Sequence, residues 1–249
     1  MLDETLVIFM TDHGISHARG KQFLYDEGTH VPLVIRGPGV ERGMVREDLV
    51  EHIDLAAITL AAAGLPIPAK MQGKNVFAAE YRQRDAVFAA RDRCDETVER
   101  LRSVRTNDYL YIRNFYPRRP HLQPNAYKDG KAIVQTLRTL HEKGELSPLA
   151  EQLLFAPERP TEELYAWKTD RWQTRNLAGD SKFAGPLQEL RSRLDQWMTE
   201  TRDHGPESDA QFDSDMAVYL GEQRRQAPDR AEIIQRNIDL MKRWASEGR

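Results

Sequence analysis

The sequence predicts an α/β fold in which the end of a sheet is followed by a smaller α+β part. Three observations carry this reading. Residues 5–10 form a continuous apolar run, two alternating segments flank Thr106-Asn107-Asp108, and helical periodicity dominates the second half. Taken in order, the run Thr5-Leu-Val-Ile-Phe-Met10 is apolar on both faces, the pattern of a strand buried in a parallel sheet. It opens almost at residue 1, so its neighbours in the sheet are expected from elsewhere in sequence. Residues 31–36 give a second strand, closed by the turn Gly37-Pro38-Gly39. Ile53, Ala56, Ala57, Leu60 and Ala61 recur at helical spacing, and Gly64 stops that helix.

After Gln72-Gly73 the character changes. Residues 86–90 read as a short strand, and 101–105 with 109–113 read as an antiparallel hairpin. Residues 117–124 form an irregular loop bearing Arg and Pro. Residues 131–143 are helical and stop at Gly144, and 164–167 suggest one more strand. Residues 187–201 form a strongly amphipathic helix whose Leu187, Leu190, Leu194 and Trp197 are core contacts. Residues 202–228 read as a polar loop, and 229–247 as a final helix with Ile234, Ile238 and Met241 on one face.

Composition narrows the function classes. The chain has 249 residues, 36 Lys+Arg against 39 Asp+Glu, and 40% hydrophobic residues. That is enough apolar material for a core, and the near-neutral balance argues against a dedicated nucleic-acid binder. Cys94 stands alone, which excludes an intrachain disulfide framework and a multi-Cys zinc site. No segment has the roughly 18–20 apolar residues of a membrane span. The start Met-Leu-Asp-Glu-Thr is acidic where a signal peptide is basic.

The chemistry-bearing constellation is Asp12-His13-Gly14, directly after the first strand. Ligands of open α/β sheets bind beyond the carboxyl ends of strands. A carboxylate beside an imidazole offers one oxygen and one nitrogen to a divalent cation, and a turn-capping Asp12 with an exposed His13 is the plainer alternative. Two sharper motifs fail. His13 and His17 lack the glutamate of a zincin helix, and the stretch from Gly14 to Gln22 has the wrong spacing and no hydroxyl for a phosphate-binding P-loop. Arg91, Arg93, Asp95 and Glu96 could contact an anionic sugar, but read better as a solvated charge cluster. Tyr109, Tyr111, Arg113, Phe115, Tyr116, Arg118 and Arg119 imitate a nucleic-acid surface, but alternation in a hairpin reads the aromatics as half-buried packing.

The order of motifs resembles the sulfatase family. A buried strand leads to Asp12-His13-Gly14, then Gly20-Lys21, Tyr25-Asp26-Glu27-Gly28, Val31-Pro32-Leu33 and Gly37-Pro38-Gly39. The resemblance continues through His52-Ile53-Asp54-Leu55, Ala63-Gly64, Met71-Gln72-Gly73 and Arg105 to Asn114. It reaches Glu163-Leu164-Tyr165, Asn176-Leu177-Ala178 and residues 187–201. It implies an alkaline-phosphatase-like α/β fold and hydrolysis of sulfate esters or sulfamates. It also implies that Asp12 and His13 supply part of a calcium site and that Lys21 contacts the substrate's sulfate. His30, where many relatives carry Arg, is expected to be structural.

The departures matter as much. The family's nucleophile is a formylglycine made in a Cys/Ser-x-Pro/Ala-x-Arg motif near the N-terminus; Cys94-Asp95-Glu96-Thr97 does not match, and no Ser here begins that motif. The remaining calcium ligands also belong to the N-terminal half in relatives. The chain therefore looks like the C-terminal part of a sulfatase: residues 1–80 from the catalytic α/β domain, 81–205 a C-terminal α+β subdomain, and 206–249 a helical extension. The expected function is that of a calcium-dependent sulfuric ester hydrolase acting on a sulfated small molecule or glycan, with an N-terminal sulfatase half supplying the nucleophile. The alternatives are a non-catalytic remnant that binds an anionic glycan or a partner, and a related phosphodiesterase or phosphonate hydrolase. A sheet missing its neighbours is also expected to leave apolar surface bare and the isolated chain marginal.

Overall fold

A computed structural model describes residues 4–249; the acidic start at residues 1–3 lies outside them. Six strands form two sheets. β1 (Val7–Met10) and β2 (Leu33–Arg36) make a two-stranded sheet, and the rest forms a four-stranded sheet in the order β3 (Val87–Cys94), β4 (Thr97–Arg105), β5 (Leu110–Asn114), β6 (Glu162–Tyr165). The short helices α1 (Asp26–Thr29), α3 (Ala126–Asp129) and α5 (Pro148–Ala150) punctuate loops. The longer ones are α2 (Ile53–Ala62), α4 (Ala132–Glu142), α6 (Ala184–Glu200), α7 (Asp209–Gln226) and α8 (Pro228–Ser246). No described helix is long and apolar enough to cross a membrane.

The first strand is where expected, but its pairing is not. β1 and β2 run antiparallel, with Val7 opposite Arg36 and Met10 opposite Leu33. Nor are they buried: Phe9 is 62% exposed and Val34 60%. An apolar run records that both faces avoid water; it does not encode the direction of a neighbour. Here the connection from 11 to 32 holds no crossover helix beyond four-residue α1, so the chain doubles back against itself.

The four-stranded sheet follows its alternation closely. β4 and β5 pair from Arg105 opposite Leu110 to Leu101 opposite Asn114, and the turn closes with the Thr106 amide donating to the Tyr109 carbonyl at 2.9 Å. On one face Leu101, Leu110, Ile112 and Tyr165 pack with Phe23, Leu24 and Tyr25. On the other, Val104, Tyr111 and Leu164 pack with Leu190 and Leu194 of α6. Tyr111 is fully buried, as packing rather than nucleic-acid contact requires. Trp197 stacks on Phe88 at 5.1 Å. β3 is longer than expected and turns tightly into β4 at Asp95, whose φ is +50°.

Two expectations are corrected. Residues 202–228 are not a loop: α7 starts with the Ser208 side chain capping the Gln211 amide and buries Phe212, Met216 and Leu220 against α8. Three apolar residues four apart are enough when a partner helix covers them. Glu96 is no solvated charge either. It is fully buried, accepting from the Ala126 amide at 2.6 Å and from Asn237 Nδ2 at 2.7 Å. Arg93 of the same group pairs with Glu207 and Asp215.

Candidate active site

The loop leaving β1 carries Asp12, His13 and Lys21, and close backbone contacts shape it. The Gly14 amide donates to the Gly28 carbonyl at 3.0 Å, and the Lys21 amide to the Ile15 carbonyl at 2.8 Å. A Cβ on Gly14 would lie 1.8 Å from the Glu27 carbonyl oxygen, and one on Gly20 would lie 1.9 Å from that of Ile15. Close approach, rather than a positive φ, is what demands glycine at both positions.

Asp12 is largely exposed, with its Oδ2 3.6 Å from His13 Nε2, while His13 Nδ1 hydrogen-bonds the Gly14 carbonyl at 2.7 Å. That second bond favours the Nδ1–H tautomer and leaves Nε2 as an acceptor. Calcium takes oxygen ligands at about 2.3–2.6 Å; Asp12 offers such an oxygen, and His13 Nε2 offers a nitrogen beside it. The shell needs four to six more donors. Among the described residues no cluster of three or more His, Cys, Asp and Glu side chains gathers to hold a metal.

Lys21 makes no ion pair or hydrogen bond to Asp12 or His13 among the described residues. Its ammonium instead stands 4.7 Å from the ring centre of Tyr127. The segment around α3 grips this loop repeatedly. Ser16 Oγ and Tyr127 Oη share a hydrogen bond of 3.0 Å, and Lys128 Nζ donates to the His17 carbonyl at 2.7 Å. Gln22, held at a left-handed φ of +82°, donates to Cys94 Sγ, and its carbonyl accepts from Arg91 Nη1. Burial, then the nearby Arg91 guanidinium, pulls the Lys128 ammonium down to about 7. Burial pushes the Cys94 thiol up, away from the thiolate form. Tyr127 and Lys128 were invisible to motif reasoning, and Arg91 was read as solvated charge, since a basic residue in a polar stretch shows no sign of what covers it.

Behind the loop, Tyr25 anchors it to the sheet. Tyr25 Oη donates to Glu163 Oε2 at 2.7 Å, and Tyr165 Oη and Asn114 Nδ2 donate to the same carboxylate. His121 lies beside it, buried, with Nδ1 unpartnered, and burial pulls its ring down to about 4. The unfolded ring titrates near 6.5, so the neutral folded form contributes stability above that pH and loses it as pH falls from 6.5 toward 4. Urea unfolding should show a drop of about 2–3 kcal/mol across that window, absent in His121→Phe. A His121→Phe curve parallel to the parent's would remove His121 as the cause. His30, by contrast, is exposed and lies 3.5 Å from Asp26, in keeping with a structural place.

A short strand ending in Asp-His-Gly, a glycine-pinned loop carrying an uncompensated lysine and a four-stranded antiparallel sheet behind it together define a sulfatase-type chain of alkaline-phosphatase-like fold. The chain belongs to the family described as N-sulphoglucosamine sulphohydrolase, C-terminal, whose model matches residues 13–143. It is 33% identical over 214 residues to the ulvan-active sulfatase of Formosa agariphila, covering 84% of this chain and 36% of that protein. It is 28% identical over 218 residues to human N-sulphoglucosamine sulphohydrolase, covering 82% of this chain and 43% of that one. Its fold resembles the solved structure of BT4656 in complex with its substrate D-glucosamine-2-N,6-O-disulfate, with a TM-score of 0.57 and 20% identity over 84% of this chain and 37% of that one. The chain thus spans less than half the length of the relatives it matches.

Proposed function

We propose that this chain is the C-terminal portion of a calcium-dependent sulfatase that hydrolyses sulfate groups on a glycan. The observation that carries this is the loop after β1, in which an exposed Asp12 carboxylate stands beside the His13 imidazole and Lys21 follows farther along. The family membership supports sulfatase chemistry, and the relatives named above supply the glycan class. In this reading Asp12 and His13 hold part of the calcium shell, and Lys21 donates to the sulfate. Calcium, when bound, supplies positive charge that polarises the sulfate oxygens. The nucleophile, a formylglycine, and the remaining ligands come from an N-terminal sulfatase half. The bare faces of β1 and β2, with Phe9 and Val34 exposed, support a partner of that kind at this sheet.

The test is hydrolysis of a chromogenic aryl sulfate by the purified chain, alone and joined to a sulfatase N-terminal half, with and without calcium. The chain alone should show no turnover. The joined protein should show calcium-dependent turnover, reduced at least about 100-fold by Asp12→Ala. Robust turnover by the chain alone would overturn the division of labour. Preferential turnover of a phosphate diester would favour the phosphodiesterase reading.

A further inference from the structure

Tyr127 carries a second ammonium group. Lys131 Nζ lies 4.5 Å from the centre of the ring that Lys21 Nζ approaches at 4.7 Å. Both groups sit against one side chain, so they stand less than about 10 Å apart. Neither forms an ion pair with a carboxylate among the described residues. Asp129, the nearest acidic residue in sequence, is taken by Arg138 at 2.7 Å. Two further basic residues bond the same loop without a carboxylate salt bridge among the described residues. Lys128 is 1% exposed and bonded to backbone carbonyls, and Arg91 is held by the Gln22 carbonyl with its Nε buried and unpartnered.

Two ammonium groups on one ring without a carboxylate partner among the described residues, with buried Lys128 and part-buried Arg91 bonded to the same loop, repel one another and are partly desolvated, which disfavours the folded chain. An arrangement of this kind is relieved by a bound anion. Lys21 and Lys131 are both part-exposed and open to an anion from solvent, whereas Lys128 and Arg91 are bonded to carbonyls of the loop. Tyr127 fixes the spacing of the two outer ammonium groups, because its hydroxyl is tied to Ser16 and its ring accepts both cations.

We propose that Lys131, seated with Lys21 on the ring of Tyr127, is a second anion-recognising group, so that this face selects sugars bearing two acidic groups within reach of both. The proposal rests on the reading of Lys21 as the sulfate contact and adds the ligand class: a sugar with a second sulfate or a carboxylate, rather than a simple aryl sulfate.

The experiment is titration of the full chain with glucosamine 6-sulfate and with a disulfated glucosamine at fixed low ionic strength, followed by amide chemical shifts. The parent chain should bind the disulfated sugar about fivefold more tightly, a preference that shrinks with added salt. Lys131→Gln should erase the preference while leaving monosulfate affinity intact. Lys21→Gln should weaken both ligands, and Lys182→Gln, remote and exposed, should change neither. An equal loss for both sugars in Lys131→Gln, or no loss, would overturn the second site and leave Lys21 untouched. Failure of the parent chain to bind either sugar would remove the Lys21 reading and the two-acid proposal with it. Superimposable circular dichroism of the variants secures the comparison, since Lys131 sits at the surface end of α4.

Discussion

Glu163→Gln should lower the folding free energy by about 3 kcal/mol, the larger part of the stability of a marginal domain. Glu163 is 2% exposed and has no ionised partner among the described residues at pH 7, where His121, 3.9 Å away, is a neutral ring. Burial pushes this carboxyl up, but the hydrogen bonds from Tyr165, Asn114 and Tyr25, together with any charge His121 gains in acid, outweigh it, so it stays below the usual carboxylate range. Three donors converge on two oxygens, from Tyr25 on the loop, Asn114 on β5 and Tyr165 on β6. Glutamine keeps the shape, yet replaces one acceptor oxygen with an NH2 group that faces donors. The loss is therefore a set of charge-assisted bonds plus a buried donor without an acceptor. Tyr165→Phe is the informative control. It removes one donor without stranding a charge and should cost about 1 kcal/mol. Urea unfolding followed by tryptophan fluorescence measures both. A Glu163→Gln chain within 1 kcal/mol of the parent would show that the network is decorative and that apolar contacts of Phe23 and Leu24 alone dock the loop.

What was legible in the sequence follows from how far each signal reaches. The β4–β5 hairpin and α6 were readable because period-2 and period-3.6 patterns are local, and Leu190 and Leu194 are buried where the spacing put them. α7 was not, because its three buried residues are diluted by Asp, Ser, Gln and Glu, and the apolar surface that justifies them belongs to α8. β1 was legible as a strand and illegible in direction, since an apolar run is symmetric to reversal. The candidate site divides the same way. Asp12, His13 and Lys21 lie within ten residues and could be read as a motif. Lys128 reaches His17 across 111 positions, and no local pattern foretells that contact. Glu96, in the turn between β3 and β4, and Arg91, on β3, failed for a related reason: a charged residue looks solvated until the element covering it is known.

Lys21→Ala, made in the joined sulfatase, should reduce kcat for sulfate ester hydrolysis by about 100- to 1,000-fold, the usual consequence of removing one donor to a developing oxyanion. The size of the effect depends on Lys21 being free to act. A lysine already neutralised by a carboxylate would contribute little to an incoming anion, because its field would be spent on its partner. Among the described residues Lys21 has no such partner, and the face of Tyr127 orients its ammonium without cancelling its charge. Charge on the leaving oxygen grows as the sulfur–oxygen bond breaks, so the loss should fall mainly on kcat, with KM changed less. Lys21→Arg should recover part of the activity, since a guanidinium keeps the charge but not the reach or donor geometry. Tyr127→Phe separates orientation from charge. It keeps the ring under both lysines and loses the bond to Ser16, so it should cost far less than Lys21→Ala. If Lys21→Ala retained more than a tenth of the parent's kcat, Lys21 would be a loop lysine that happens to lie on an aromatic ring, and the donor to the sulfate would have to be sought elsewhere.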